Sequence, residues 1–369
     1  MSFGATIVRL DARLVRVPLT RPWAADVTEV GVIATTVTRS DGATGYGFSW
    51  TPQIGAEAVL ALVQHDIAAW AVGRKADAES LWSPLWQHLH EAGGGGITTI
   101  AMAGLDLALW DGEARSTDAS VSAVLGRRRD SVAVYGSGVN LHYALDELLA
   151  QVSRWIEAGY DAVKIKVGRP DLGEDLDRVG AVRELLGPGR RLMIDANQRW
   201  DLDRATRCID ALSAFDLTWI EEPLRADDLA GHTELARRIH VPIAVGENLH
   251  TEYRFADFLR AGAAQVVQPN IVRVGGITPF RRIAHLAAEH GAQLHAHLLP
   301  ELSGQLALTL DRESMVEDVE DAGFGHLGAL HDSPPVTIAR GRLTEVPHLG
   351  LGLRFTDPSP SSTQPGDRP

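Results

Sequence analysis

Cysteine and long apolar runs are almost absent from this sequence. Cys208 is the only cysteine among 369 residues, which excludes an intramolecular disulfide. No uninterrupted apolar run is long enough to span a membrane, and the first residues lack the apolar core of a secretory signal peptide. From these absences we expect a cytoplasmic protein with no membrane partner.

Positive charge is also scarce. The chain has 35 Lys and Arg against 48 Asp and Glu, a formal net charge of -13, which disfavours nucleic acid as a partner. An anionic small molecule must therefore be bound by local positive charge. Hydrophobic residues make up 45% of the chain, which at this length predicts a large buried core and more than one domain.

One unit repeats from about residue 130 onward: a short apolar run, a loop and an amphipathic helical stretch. The runs are VAVYGSG, AVKIKV, RLMIDAN, LTWIEEP, PIAVGEN, AQVVQPN, AQLHAHL and a weaker ESMVEDV. Their polar ends are evenly spaced, since 26 residues separate Asp195 from Glu221 and another 26 separate Glu221 from Glu247. Eight strand-and-helix units of this length predict a (β/α)8 TIM barrel of the α/β class.

The repeat suggests a division of the chain into four segments. Residues 1–125 show alternating strands around an SDG turn followed by helices, and are predicted to form an α+β capping domain. Residues 126–330 are the predicted barrel. Residues 331–356 are expected to pack back on the capping domain and complete it. Residues 357–369 are rich in Pro, Ser, Asp and Gly and are expected to be disordered.

Three consecutive runs end in a carboxylate, namely Asp195, Glu221 and Glu247. Active sites of such barrels lie at the carboxyl ends of the strands, so these acids would converge and repel each other unless a cation lay among them. Oxygen ligands favour Mg2+. Any one of the acids could instead be a helix N-cap, but their equal spacing favours a metal site. Glu222 is the alternative to Glu221.

Lys164 and Lys166 lie on the run AVKIKV, immediately before the run that ends in Asp195, and they share one face of the predicted strand. A second ammonium group and a divalent cation nearby are expected to lower the pKa of a lysine, which would then act as a base near neutral pH. Such a base beside a metal suits removal of the proton α to a carboxylate. The alternative is that both lysines form structural ion pairs.

The last two runs supply further candidates. His295 and His297 share a face, and His297 is nearer the strand end, across the ring from the lysines, where a second acid or base is needed. A lone histidine is more often a core or surface residue. Either Glu317 or Glu320 could, if protonated, donate a hydrogen bond to an enolate oxygen.

Taken in order, KIKVG, MIDANQRW, WIEEPL, PIAVGEN, VQPNIVRVGGIT and HAHLLPELS resemble the enolase superfamily and, within it, the mandelate racemase subgroup. GLDLALWD resembles the helix that leads into that family's barrel. The resemblance implies a capping domain, a modified barrel and one Mg2+ held by the three carboxylates. It also implies removal of the α-proton from a hydroxy-acid anion.

Residue roles follow from the same resemblance. It implies that Lys166 is the base on one face and that Lys164 assists the substrate carboxylate. Asn197 would contact the substrate, His297 would work on the opposite face, and Glu317 would meet the enolate. A homo-oligomer, from dimer to octamer, is also expected.

One position departs from the family pattern. The family usually orients its histidine with an aspartate at the end of the sixth strand, where this chain has Asn270. An amide can hold the ring by a hydrogen bond, but it supplies no negative charge to stabilise an imidazolium. This disfavours a racemase, which needs a base on both faces. It favours a dehydratase, in which His297 only serves a departing hydroxyl.

Dehydration of an acid sugar, an aldonate or aldarate, to a 2-keto-3-deoxy acid is therefore the leading prediction. HAHLLPELS and DANQRW also resemble sugar-acid dehydratases. The alternatives are racemisation of a 2-hydroxy acid, cycloisomerisation or amino-acid dehydration, and a barrel that only binds. Trp23 and Trp50 are candidate lids over the substrate and Arg21 a candidate for a distal carboxylate, although each could equally be a surface residue.

Overall fold

The computed structural model describes residues 4–24 and 26–356 of the chain, so the predicted tail, residues 357–369, lies entirely outside the described residues. The first part is an antiparallel sheet in the order β1, β2, β3. Its strands are β1 (Ile7–Pro18), β2 (Glu29–Arg39) and β3 (Thr44–Thr51).

Helices cover this sheet. They are α1 (Ala56–Ala61), a π-helical turn (Leu62–Ile67), α2 (Ala68–Ala71), α3 (Ala78–Leu89), a 3-10 turn (His90–Ala92), α4 (Ile97–Ser116) and α5 (Val121–Val124). The central helix α4 lies directly on β3. A Cβ added at Gly47 would lie 2.3 Å from the carbonyl oxygen of Gly104, so only glycine permits this approach.

Each of the eight predicted runs contains a strand. The strands are β4 (Ser131–Ser137), β5 (Ala162–Lys166), β6 (Arg191–Asp195), β7 (Leu217–Glu221), β8 (Ile243–Val245), β9 (Val266–Val267), β10 (Gln293–Leu294) and β11 (Met315–Val319). Neighbours from β4 to β10 pair in parallel in chain order, and β11 pairs in parallel with β4. This is the predicted modified TIM barrel.

Amphipathic helices connect the strands, as the repeat predicted. They are α6 (Leu145–Glu157), α7 (Leu172–Leu186), α8 (Leu202–Leu212) with a 3-10 turn (Ser213–Phe215), α9 (Leu229–Arg238), α10 (Glu252–Arg260), α11 (Ile277–Glu289) and α12 (Pro300–Ala307). Within α6, Leu148, Val152 and Trp155 recur at helical spacing and are buried. The apolar stripe of the helix therefore faces the strands.

Side chains join β10 to β11. The backbone N–H of Met315 donates to Nδ1 of His295 over 2.9 Å, and the hydroxyl of Ser314 donates to the carbonyl of Leu294 over 2.7 Å. Burial lowers the pKa of His295 to about 3. His295 therefore takes part in packing at the base of the barrel, whereas His297 lies nearer the mouth.

The last described residues contact both parts of the molecule. Strands β12 (Val336–Ala339) and β13 (Arg342–Glu345) form an antiparallel pair, and β13 extends the barrel sheet beside β4. Further on, the ring of Phe355 lies 5.0 Å from that of Phe48 on β3. Of the helices described, none has the length and apolarity needed to cross a membrane.

Candidate active site

Three carboxylates meet at the mouth of the barrel. Asp195 closes β6, Glu221 closes β7 and Glu247 follows β8 by two residues, because parallel strands bring their carboxyl ends to one edge. One oxygen from each lies within 4.8 Å of the others, and all three residues are buried. Glu222 turns away from this cluster and accepts hydrogen bonds from Gln198 and Asn248.

The donor set fits a divalent cation. Burial, with the charges of Asp195 and Glu317, raises the pKa of Glu221 to about 8, although Lys164 opposes the shift. The cluster is thus short of positive charge. Carboxylate oxygens are the ligands that Mg2+ prefers. Asp195, Glu221 and Glu247 are therefore suited to hold Mg2+, as the sequence predicted.

The two lysines point into this cluster. Nζ of Lys164 lies 2.7 Å from Glu221 and 2.7 Å from Glu317, and Nζ of Lys166 lies 2.5 Å from Asp195. Burial by itself would lower the pKa of both amines, but the surrounding carboxylates outweigh it and raise the pKa of each. This is opposite to the direction expected from the sequence, which assumed a divalent cation among the acids.

Of the two glutamates on the last strand, Glu317 faces the site. It accepts a hydrogen bond from the backbone N–H of Leu298 over 3.0 Å and contacts Lys164. Burial favours its neutral form, but Lys164 and His297 lower its pKa to about 2. Glu317 is therefore ionised here, whereas the hydrogen-bond donor expected from the sequence requires a protonated carboxyl. Glu320 lies apart and pairs with Arg154.

Asn270 determines which ring nitrogen of His297 carries the hydrogen. Its Oδ1 accepts from the backbone N–H groups of Val272 and Arg273, each over 3.1 Å, so its NH2 group must face Nδ1 of His297 at 3.2 Å. Nδ1 is then an acceptor, and the ring hydrogen lies on Nε2. That atom faces the site, 2.7 Å from Oε2 of Glu247.

Asn197 lies immediately beside the acids. Its backbone N–H donates to Asp195 over 2.8 Å, and its side-chain amide lies 3.4 Å from Glu247. Its φ of 43° is positive, a conformation that asparagine tolerates better than most residues. The side chain is exposed at the rim, where a substrate would enter.

The candidate lid residues come from the first part of the chain. Trp23 and Trp50 meet edge to face with ring centroids 6.2 Å apart. Both line an apolar cavity with Leu298, four residues after β10, and Val319, the last residue of β11. Arg21 pairs with Asp321 at 2.6 Å. Its guanidinium is thus already engaged by a carboxylate of the protein.

Sequence reasoning missed the amides that hold the acids in place. Nε2 of Gln268 donates to Glu221 over 2.7 Å, and Nδ2 of Asn248 donates to Glu247 over 3.0 Å. A signal for Gln268 was present, because it lies two residues before Asn270 in the run VVQPN and so shares its direction.

Comparison with known proteins agrees with this geometry. Residues 6–126 match the mandelate racemase / muconate lactonizing enzyme N-terminal domain, and residues 147–359 match the enolase C-terminal domain-like family. The chain belongs to the mandelate racemase / muconate lactonizing enzyme family. It is thus a member of the enolase superfamily, as the motifs indicated.

Two curated members of this family resemble most of the chain. It is 37% identical over 354 residues to 3,6-anhydro-alpha-L-galactonate cycloisomerase of Streptomyces coelicolor, covering 95% of this chain and 97% of that protein. It is 38% identical over 340 residues to L-talarate/galactarate dehydratase of Salmonella typhimurium, covering 92% and 84%.

A solved structure supports the fold and the chemistry of the site. L-talarate dehydratase from Polaromonas sp. JS666, complexed with Mg and L-glucarate, superposes with a TM-score of 0.86 at 36% identity, covering 96% of each chain. A relative of this similarity thus combines the same fold with Mg2+ and a sugar-acid ligand.

Proposed function

We propose that this protein removes the proton α to the carboxylate of an acid sugar and eliminates water to give a 2-keto-3-deoxy acid. The observation that carries the proposal is the placement of Lys166 and His297 beside one carboxylate cluster, with the imidazole hydrogen on the nitrogen that faces it. Such a reaction would serve carbohydrate-acid catabolism.

Asp195, Glu221 and Glu247 would hold one Mg2+. When bound, the ion withdraws electron density from the substrate carboxylate and makes the α-hydrogen more acidic. Gln268 and Asn248 keep two of these carboxylates oriented by hydrogen bonds.

The protein's own groups carry the proton transfers. Lys166, which a cation bound among the acids would help to keep neutral, takes the α-proton on Nζ, and the electrons of that C–H bond move into the substrate carboxylate to give an enolate. Those electrons then form the C=C bond as the β C–O bond breaks. Lys164 presents its ammonium group to the substrate carboxylate. His297 donates a hydrogen bond from Nε2 to the departing hydroxyl, which takes one proton from the solvent and leaves as water, while Lys166 returns the α-proton to the solvent. The enol that remains becomes the 2-keto acid.

A two-base racemase fits this geometry less well. It requires Nε2 of His297 to accept a proton from carbon, and that atom already carries the ring hydrogen while Asn270 donates to Nδ1. Opening of an anhydro ring is the second candidate function, supported by the similarity to the cycloisomerase. In that reaction the same base would act, and a ring ether oxygen would leave instead of a hydroxyl.

Incubation with a panel of acid sugars and Mg2+ tests the proposal. The panel contains aldonates, aldarates, 3,6-anhydrogalactonate and simple 2-hydroxy acids, each also run in D2O. A keto acid lighter by one water supports dehydration, and a keto acid of unchanged mass supports ring opening. Interconversion of two enantiomers with deuterium uptake and no keto acid would establish a racemase. Binding without any of these changes would indicate a barrel that only binds.

The rim of the site is proposed to select the substrate. Trp23 and Trp50 supply an apolar wall, Asn197 a polar contact and Arg21 a cation that a distal carboxylate would have to draw away from Asp321. A homo-oligomer of two to about eight chains and a cytoplasmic location remain predictions from the sequence and its family resemblance.

A further inference from the structure

We propose that a network of three side chains, the buried Asn140 and Gln151 and the partly exposed Glu320, positions the base Lys166 and connects it to the loop that carries Arg21. The inference rests on the proposed role of Lys166. None of the three network residues was a candidate for this role from the sequence.

The network begins where the barrel sheet is incomplete. Strands β4 and β5 are registered only through Gly136 and Val163 among the described residues. The N–H of Val167 donates to Asp195 on β6, so the N–H of the preceding residue, Lys166, faces β4. Oδ1 of Asn140, in the loop after β4, accepts this N–H over 2.9 Å.

Asn140 is itself held in one orientation. Its Nδ2 donates to Oε1 of Gln151 on α6 over 2.8 Å, and its carbonyl accepts from Arg178 over 2.9 Å. Asn140 is 0% exposed and Gln151 1% exposed. These hydrogen bonds fix the orientation of both side-chain amides. If the oxygen and nitrogen of either amide were exchanged, two hydrogen-bond donors would face each other.

Glu320 links the buried amides to the surface. Its Oε2 accepts from Nε2 of Gln151 over 2.8 Å, and Arg154 contacts Oε1 over 2.8 Å. Arg21, on the loop between β1 and β2, lies 3.8 Å from Glu320 and 2.6 Å from Asp321. Trp23 is on the same loop. The loop that carries Arg21 therefore contacts Glu320, the residue at the surface end of the network.

These residues are positioning residues, because they reach the reaction through the backbone of Lys166. A displacement of about 1 Å at a reacting group can reduce a rate about 100-fold. Disturbing the network should therefore slow removal of the α-proton without removing any group that contacts the substrate carboxylate.

Gln151→Glu tests the network with little change in shape. It places a second carboxylate against Glu320 and removes the donor. With the substrate found active in the panel, we expect kcat to fall about 10- to 100-fold with KM nearly unchanged, and the kinetic isotope effect of an α-deuterated substrate to rise. Glu157→Gln, an exposed exchange at the end of the same helix, is the matched control and should behave as wild type.

A second substitution provides the rescue. In the double variant Gln151→Glu with Glu320→Gln, the new amide can donate to the new carboxylate, and that carboxylate still accepts from Asn140. Most of kcat and the original isotope effect should return in the double variant. If Gln151→Glu alone does not fold, the double variant still tests the network. Wild-type kcat in Gln151→Glu, or loss of kcat with no rescue in the double variant, would overturn the inference.

Lys166→Ala measured in parallel separates this inference from the proposed function. If Lys166→Ala still exchanges the α-hydrogen, the proposed function itself is wrong. If Lys166→Ala is inactive while Gln151→Glu is normal, only the network proposal is refuted.

Discussion

Individual charged side chains at the barrel mouth are buried so deeply that each depends on its partners. Lys164 is 1% exposed, and its ammonium group is neutralised by Glu221 and Glu317. Removing one member of such a cluster leaves another charge without compensation, which typically costs about 3–5 kcal/mol. Variants here must therefore be checked for folding before a loss of activity is assigned to chemistry.

The metal prediction is tested by amide substitutions. Asp195→Asn, Glu221→Gln and Glu247→Gln should each reduce turnover by more than about 100-fold, because loss of a ligand exceeds the effect of losing a supporting hydrogen bond. Mg2+ binding by calorimetry should weaken in parallel, while circular dichroism shows a folded protein. Full turnover of the wild type in excess chelator would contradict the assignment.

The base prediction separates the two lysines. Lys166→Ala should abolish exchange of the α-hydrogen with D2O on at least one stereoisomer, because Lys166 is the group proposed to remove that hydrogen. Lys164→Ala should act chiefly by raising KM, since its ammonium group is proposed to meet the substrate carboxylate. Mass spectrometry of recovered substrate measures the exchange. Exchange that survives in Lys166→Ala would exclude it as the base.

Asn270 offers a test of which nitrogen of His297 carries the hydrogen. In Asn270→Asp, one oxygen can keep the two backbone N–H bonds while the other accepts from Nδ1, which frees Nε2 to accept a proton. We expect deuterium to enter the α-carbon of the substrate from a second face, at which the wild type shows no exchange. His297→Asn should instead stop keto-acid formation and leave some exchange dependent on Lys166. Second-face exchange already present in the wild type would contradict this assignment.

At the scale of elements, close backbone contacts determine how β3 and α4 pack. A Cβ on Gly47 would lie 2.3 Å from the carbonyl of Gly104 and 2.5 Å from the backbone nitrogen of Ala108. Backbone atoms of a helix cannot turn aside as a flexible side chain can. The helix as a whole must move away from the sheet.

Gly47→Ala should therefore lower the free energy of unfolding by at least about 1–3 kcal/mol, the usual effect of overpacking. Gly189→Ala is the control, because a Cβ there meets nothing within 4 Å and its φ is not positive. Urea unfolding followed by circular dichroism gives both values. Equal stabilities of the two variants would show that α4 can shift without cost.

At the scale of the whole molecule, α4 connects the first sheet to the barrel. Asp106 of α4 accepts a hydrogen bond from the backbone N–H of Thr278 at the start of α11 over 3.1 Å, and Trp82 of α3 donates to the carbonyl of Gly275 over 2.9 Å. Asp111 accepts from Tyr46 on β3 and from Leu351 near the end of the described chain. One helix thus fixes three parts of the fold.

Asp106 should make this contact sensitive to pH. Burial raises the pKa of Asp106 to about 7, above the value of about 3.9 for an unfolded chain. The folded state then binds the proton more tightly, so the contribution of Asp106 to stability decreases as pH rises from about 4 to about 7.

Replacement by the neutral isostere should remove that dependence. The free energy of unfolding of Asp106→Asn minus that of the wild type is expected to be larger at about pH 8 than at about pH 5. Urea unfolding at fixed Mg2+ measures both. The exposed Asp210→Asn serves as the control. An identical pH dependence of the wild type and Asp106→Asn would show that Asp106 is ionised in the folded protein at both pH values.

The sequence alone determined the barrel and the convergence of its acids. The period of the apolar runs specifies strands alternating with helices, and carboxyl ends of parallel strands must meet at one edge. Asp195, Glu221 and Glu247 could therefore be brought together from their spacing. The strand alternation likewise placed Lys164 and Lys166 on one face.

Only the tertiary structure decided which polar side chains contact each other across distant loops and in which direction each hydrogen bond is donated. The choice of Glu317 over Glu320, the engagement of Arg21 by Asp321 and the hydrogen on Nε2 of His297 carry no local signal. The same holds for Asn140, which completes a gap in the sheet from a loop 26 residues before Lys166. Periodicity reports which face a side chain occupies, but pairing of polar groups depends on three-dimensional distance, which no local pattern encodes.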